Sequence, residues 1–159
     1  MTDMFPILVY GTLRPTGGNY ENILEGYTVH EELVTLDGFT MYAYSGFPYV
    51  AVGGNTIEAN LIYIHPSLYT EVMRNLDRLE GYSGPGRANH YDRILHTFTL
   101  EGEEIQAWMY VVNGDLKADV EANLPVIEDG DWLAYAYFMR LLRQMEREQA
   151  AVEAAEVTE

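Results

Sequence analysis

The chain has no cysteine, which removes disulfides, thiolate metal sites and cysteine nucleophiles together. It is also poor in positive charge. Nine lysine and arginine residues stand against twenty-five aspartates and glutamates, a formal net charge of −16. A surface so acidic repels a phosphate backbone, so nucleic acid is not an expected partner. No apolar run is long enough to span a bilayer, and "MTDMFPILVYGTLR" carries an acidic residue where a secretory leader would be basic. The expectation is a soluble, cytoplasmic protein with no membrane partner.

What is present is the composition of a folded domain. Hydrophobic residues make up 48%, and thirteen tyrosines suit a pocket with an apolar body and polar tips. The 159 residues read as one domain, 1–143, followed by an acidic helical or disordered tail, 144–159, expected to fray into solvent.

"FPILVYG" is short, apolar and ended by glycine, as a buried strand should be, and "NYENILEG" reads as a helical turn. Between Tyr27 and His65, apolar runs separated by "LDGF", "SGFP" and "VGGN" predict successive antiparallel strands, with a hairpin at Asp37-Gly38. The period then changes. In "HPSLYTEVMRNLDRLEGY", Leu68, Val72, Leu76 and Leu79 share one helical face and Gly81 supplies the stop. "YDRILHTFTLEGEEIQAWMYVV" returns to strand character around Glu101-Gly102, and "DWLAYAYFMRLLRQMEREQ" is a helix with Trp132, Tyr135, Phe138 and Leu142 toward a core. The fold class is α+β: a mixed, mostly antiparallel, barrel-like sheet with one central helix and a C-terminal helix.

The common site motifs are mostly absent. After Gly11 come Thr12, Leu13, Arg14 and Pro15, which lack the lysine and second glycine of a phosphate-binding loop, so by pattern alone this is a tight turn. Histidines 30, 65, 90 and 96 show no metal-ligand pairing, and the serines miss the nucleophile elbow. Glu80 is different. It is the last residue before the Gly81 stop, among Leu76, Leu79 and Tyr82; by spacing alone it reads first as a solvated glutamate at a helix end, and second as a carboxylate whose pKa partial burial and the helix dipole both raise toward that of a useful base. The following "GYSGPGRANHYDR" is either a flap or a long connection.

Taken in order, "VYGTLR", "GFPY", "LDRLEGY", "YDR" and "DGDW" resemble the γ-glutamylcyclotransferase-like superfamily, in particular its γ-glutamylamine cyclotransferase and AIG2-like branch. The resemblance runs from about Tyr10 to Trp132. It implies an enzyme converting a γ-glutamyl amine or γ-glutamyl dipeptide to 5-oxoproline and a free amine, with no metal or cofactor. On the matching positions it implies Glu80 as catalytic acid/base and Tyr10, Gly11, Thr12 and Leu13 as substrate-binding. Tyr82, Tyr91 and Arg93 fall at the pocket edge, and the 83–90 segment would meet the leaving amine. The partner is then a small γ-glutamyl molecule, and the protein a monomer or homodimer.

One departure stands out. Relatives carry Gly-Glu-Leu-Tyr in the strand before the helix, whereas "EANLIYI" places Ala59 and Asn60 at the first two positions. An altered ligand-binding or regulatory module on the same fold is therefore the alternative to an enzyme. An interaction protein working through its acidic tail is a third reading.

Overall fold

The computed structural model describes residues 3–157; the first two residues of the N-terminal run and the last two of the acidic tail lie outside it. Five strands, β1 (Ile7–Val9), β2 (Thr28–Ala43), β3 (Pro48–Ile64), β4 (Asp92–Leu100) and β5 (Glu103–Val111), form one sheet in the order β2-β3-β1-β5-β4. Every pairing is antiparallel except β1 with β5. Four helices accompany it: α1 (Tyr20–Ile23), α2 (Tyr69–Glu80), α3 (Gly114–Asn123) and α4 (Trp132–Val157).

Because side chains alternate along a strand, β1 feeds two cores. Ile7 and Val9 join Ile62, Ile64 and the α2 residues Tyr69, Val72, Met73 and Leu76 on one face. Leu8 joins Leu36, Met41, Leu61, Met109 and Trp132 on the other. The first face is covered by α2 and the second by the start of α4.

Four expectations are corrected. The sheet is open, not barrel-like: no ladder joins β2 to β4 among the described residues, and side chains meet instead where Phe39 and His96 pack edge to face at 4.9 Å. Asp37-Gly38 is no hairpin. Gly38 lies opposite Gly53, Gly54 and Asn55 in a bulge that bends β2 and β3 together, since Asp37 pairs with Thr56 while Phe39 pairs with Val52. The chain reverses only at 44–47. The buried face of α2 is Tyr69, Val72, Met73 and Leu76, leaving Leu79 42% exposed. On α4, Trp132 is buried but Phe138 is 56% exposed, because it lies on the outer side of the helix while Met139 and Leu142 line the cleft against the body; residues 143–157 are all exposed.

The β1–α1 loop is pinned from a distance. Arg14, only 6% exposed, donates from Nε to Asn60 Oδ1 on β3 and from Nη1 to Asp131 Oδ1, both at 2.8 Å. Asp131 also accepts from the Ala134 amide at 3.3 Å in the first turn of α4. The neighbouring Gly130 lies against β3, its carbonyl accepting from the Glu58 amide at 2.9 Å. Replacing Arg14 by Leu strands the Asp131 charge beside an empty donor position. The expected cost is about 3 kcal/mol, read as a fall in Tm of roughly 6–12 °C in a thermal melt.

Candidate active site

A cavity of about 280 Å³ lies where the β1–α1 loop, the end of α2, the β2–β3 turn and β5 converge. Its walls include Tyr10 to Leu13, Gly46 to Pro48, Leu79, Glu80, His90, Tyr91 and Tyr110. Five segments distant in sequence are thus needed to make it.

The loop supplies backbone. Gly11 packs so closely on the Pro48 ring that a Cβ would stand 2.9 Å from Pro48 Cδ, so glycine is required for the chain to pass the turn. Asn19 holds the far side, donating from Nδ2 to Thr12 Oγ1 and from its amide to the Thr12 carbonyl, each at 2.8 Å. The amides of Gly11, Thr12 and Leu13 donate to no protein acceptor among the described residues. Three neighbouring N–H groups at one cavity wall can receive an anion or a developing oxyanion.

Glu80 supplies the charge. Gly81 ends α2 in the left-handed region at φ 67°, where a Cβ would come within 2.9 Å of His90 Cβ. The Gly81 and Tyr82 amides both turn back to the Asp77 carbonyl, and the Tyr91 amide donates to the Glu80 carbonyl at 3.2 Å. The helix end is therefore fixed and the Glu80 side chain turns toward the loop. Its carboxylate accepts no hydrogen bond from a described residue, and burial raises its pKa from 4.5 to about 7. The hydroxyls of Tyr10 and Tyr91 are raised as well, by burial first and in part by the charge of Glu80. Both already donate to backbone carbonyls, Tyr10 to Tyr110 at 2.6 Å and Tyr91 to Pro48 at 3.0 Å. They shape the cavity and fasten its walls, while Glu80 is left with an uncommitted carboxylate.

Of the sequence candidates, Tyr10, Gly11, Thr12, Leu13, Glu80 and Tyr91 come together here, whereas Tyr82 and Arg93 line a separate cavity across α2. There the Arg93 guanidinium lies over the Tyr82 and Trp108 rings and donates twice from Nη1 to Asp77, at 2.8 and 3.0 Å. Asp77 also accepts from the Tyr110 hydroxyl at 2.7 Å. Arg93 thus acts on the site through α2. The 83–90 connection is tied by Asn89, which accepts from the Ser83 amide and donates to the Gly84 carbonyl and Asp92. Within it, only His90 borders the Glu80 cavity.

Sequence reasoning missed Asn19, Pro48 and Tyr110, and missed the anchors Arg14 and Asp131. Pro48, Arg14 and Asp131 sit inside the motifs "GFPY", "VYGTLR" and "DGDW", and an arginine between Gly11 and Gly17-Gly18 was the available signal for the anchor. Among the described residues no group of three or more His, Asp or Glu is arranged to hold a metal ion, and no helix is long and apolar enough to cross a membrane.

A family model described as gamma-glutamyl cyclotransferase, AIG2-like, matches residues 7–134, which carry every wall of the cavity. The chain belongs to this family. Among solved structures, the family fold recurs in ytfP from Escherichia coli, a solution NMR structure, at 26% identity over 81% of this chain and 96% of that one, with a TM-score of 0.53. An uncharacterized protein from Pyrococcus horikoshii, PH0828, shares the fold at 15% identity, covering 86% and 96% with a TM-score of 0.53. So does c4763, a uropathogenic E. coli-specific protein, at 14% identity, 85% and 97%, with a TM-score of 0.52. No curated protein matches the chain significantly.

The Asp77 junction gives a measurable expectation. Asp77→Ala leaves the partly buried Arg93 without its carboxylate and the Tyr110 hydroxyl without an acceptor. Denaturant unfolding should register a loss of about 2 kcal/mol.

Proposed function

We propose that the chain is a cyclotransferase that converts γ-glutamyl amides to 5-oxoproline and a free amine, with Glu80 as the proton carrier. The observation that carries this reading is the uncommitted, half-buried Glu80 carboxylate, raised toward neutrality by burial, in one cavity with Gly11, Thr12 and Leu13, whose amides have no protein acceptor among the described residues. A cavity of about 280 Å³ suits a compact, amino-acid-sized group.

In this reading the loop amides of Gly11, Thr12 and Leu13 receive an oxygen of the glutamyl group, which fixes the substrate in a folded conformer. Its own α-nitrogen then lies beside its side-chain carbonyl, and the bimolecular entropy cost is avoided. Ionised Glu80 takes a proton from the α-ammonium. The freed nitrogen lone pair attacks the amide carbon, a C–N bond forms, and the carbonyl oxygen gathers negative charge. Glu80 returns its proton to the leaving nitrogen, the second C–N bond breaks, and the carboxylate is restored. One ammonium is consumed and one released as the product amine takes up the second proton given off by the ring nitrogen, so charge balances across the turnover.

The reaction needs the ionised carboxylate at the start, so with the carboxyl titrating at about 7 the free-enzyme rate must rise with pH through that region. Following 5-oxoproline release from γ-glutamyl amides, we expect kcat/KM to climb across a limb near pH 7. In Glu80→Gln it should fall by about 10²–10⁴-fold with the limb gone. Turnover undiminished in that variant would remove the assignment.

A further inference from the structure

A broad cleft of about 1070 Å³ lies between the inner face of α4 and the loops at 12–18 and 43–46. Thr12 and Gly46 line both this cleft and the Glu80 cavity, so the two spaces meet at those residues. Beyond them the cleft wall follows α4 past Tyr135 to Arg140, Arg143 and Arg147.

These three arginines are spaced by three and four residues, which places them on one helical face. They are three of only nine basic residues in a chain of net charge −16, gathered on one wall. None forms an ion pair among the described residues. Arg140 lies 5.8 Å from the Tyr137 ring centroid and Arg143 Nε reaches the Met139 carbonyl at 3.4 Å, contacts that leave the charges available. Glu146 is the lone carboxylate on the cleft wall.

Given the γ-glutamyl reading above, on which this step rests, the glutamyl half fills the small cavity and the leaving half must emerge through an opening. We infer that it emerges past Thr12 and Gly46, and that the α4 cleft receives a leaving amine bearing carboxylates. The substrate class is then an acidic γ-glutamyl peptide, in preference to a γ-glutamyl alkylamine. Arg140, Arg143 and Arg147 lie beyond residue 134, where the family match ends, so membership of the family does not by itself carry the preference. The reaction and its proton balance are unchanged; the arginines contribute binding to the half that departs.

The test compares kcat/KM for γ-glutamyl-glutamyl-glutamate with that for γ-glutamyl ethylamide, both read as 5-oxoproline. The native protein should favour the acidic peptide by about 10-fold at low salt, as expected for several solvent-exposed charge pairs, and by less at high salt. The triple variant Arg140→Gln, Arg143→Gln, Arg147→Gln should bring the ratio near one, and the corresponding triple lysine variant should keep most of it. A native ratio of one or below, or a ratio untouched by the glutamine substitutions, overturns the inference while leaving the Glu80 reading in place. If neither compound yields 5-oxoproline, the Glu80 reading fails and the inference falls with it.

Discussion

Asp77 is the junction on which the site depends. Its carboxylate accepts from Arg93 of β4 and from the Tyr110 hydroxyl of β5, so a single side chain ties α2 to both strands. Tyr110 in turn accepts on its backbone carbonyl from the Tyr10 hydroxyl, which brings in the end of β1. Asp77 lies three residues before Glu80, less than one helical turn. Where Asp77 is held, the azimuth and height of Glu80 are therefore set, and Gly81 stops the helix before another turn could fill the cavity. This is how an arginine outside the cavity governs the carboxylate inside it.

The two sides of the cavity are stabilised by different means. The helix side is fastened by charge-assisted hydrogen bonds that leave Glu80 itself unpaired, a burial that by itself disfavours the ionised fold. The loop side is fastened by Arg14, whose buried guanidinium reaches β3 and the start of α4, and by Asn19, which holds Thr12. Neither set of anchors uses the loop amides or the Glu80 carboxylate. The groups suited to a ligand are those the fold leaves without partners, and the neighbouring polar groups carry the structural load.

Much of this was legible in the residues because local patterns and the tertiary structure agree. The spacing through Val72 and Leu76, the Gly81 stop, the buried run at 7–9 and the Glu101-Gly102 reversal each reflect one local rule. Sequence failed where a partner far along the chain decides the outcome. Asp37-Gly38 reads as a hairpin until Gly53-Gly54 is set opposite it, when the glycines become a shared bend. The family resemblance places Arg93 at the pocket edge beside Tyr91, yet Tyr91, in the connection before β4, donates to the Pro48 carbonyl, while Arg93, on β4, reaches Asp77 on α2. α3 passed unnoticed because only Val120 is buried along it, so it carries no apolar period to read. Asn60, the departure from the family pattern, lies outside the cavity wall and instead receives Arg14, acting on the loop at one remove.

Everything proposed for the chemistry rests on the environment of one carboxyl group. Burial without a compensating donor should hold Glu80 protonated well above the range of an ordinary glutamate. Titrating the ¹³C chemical shift of the Glu80 side-chain carboxyl in the free protein reads that environment directly. The account predicts a midpoint of about 7, and a midpoint near the ordinary glutamate value of ~4.3 would contradict it.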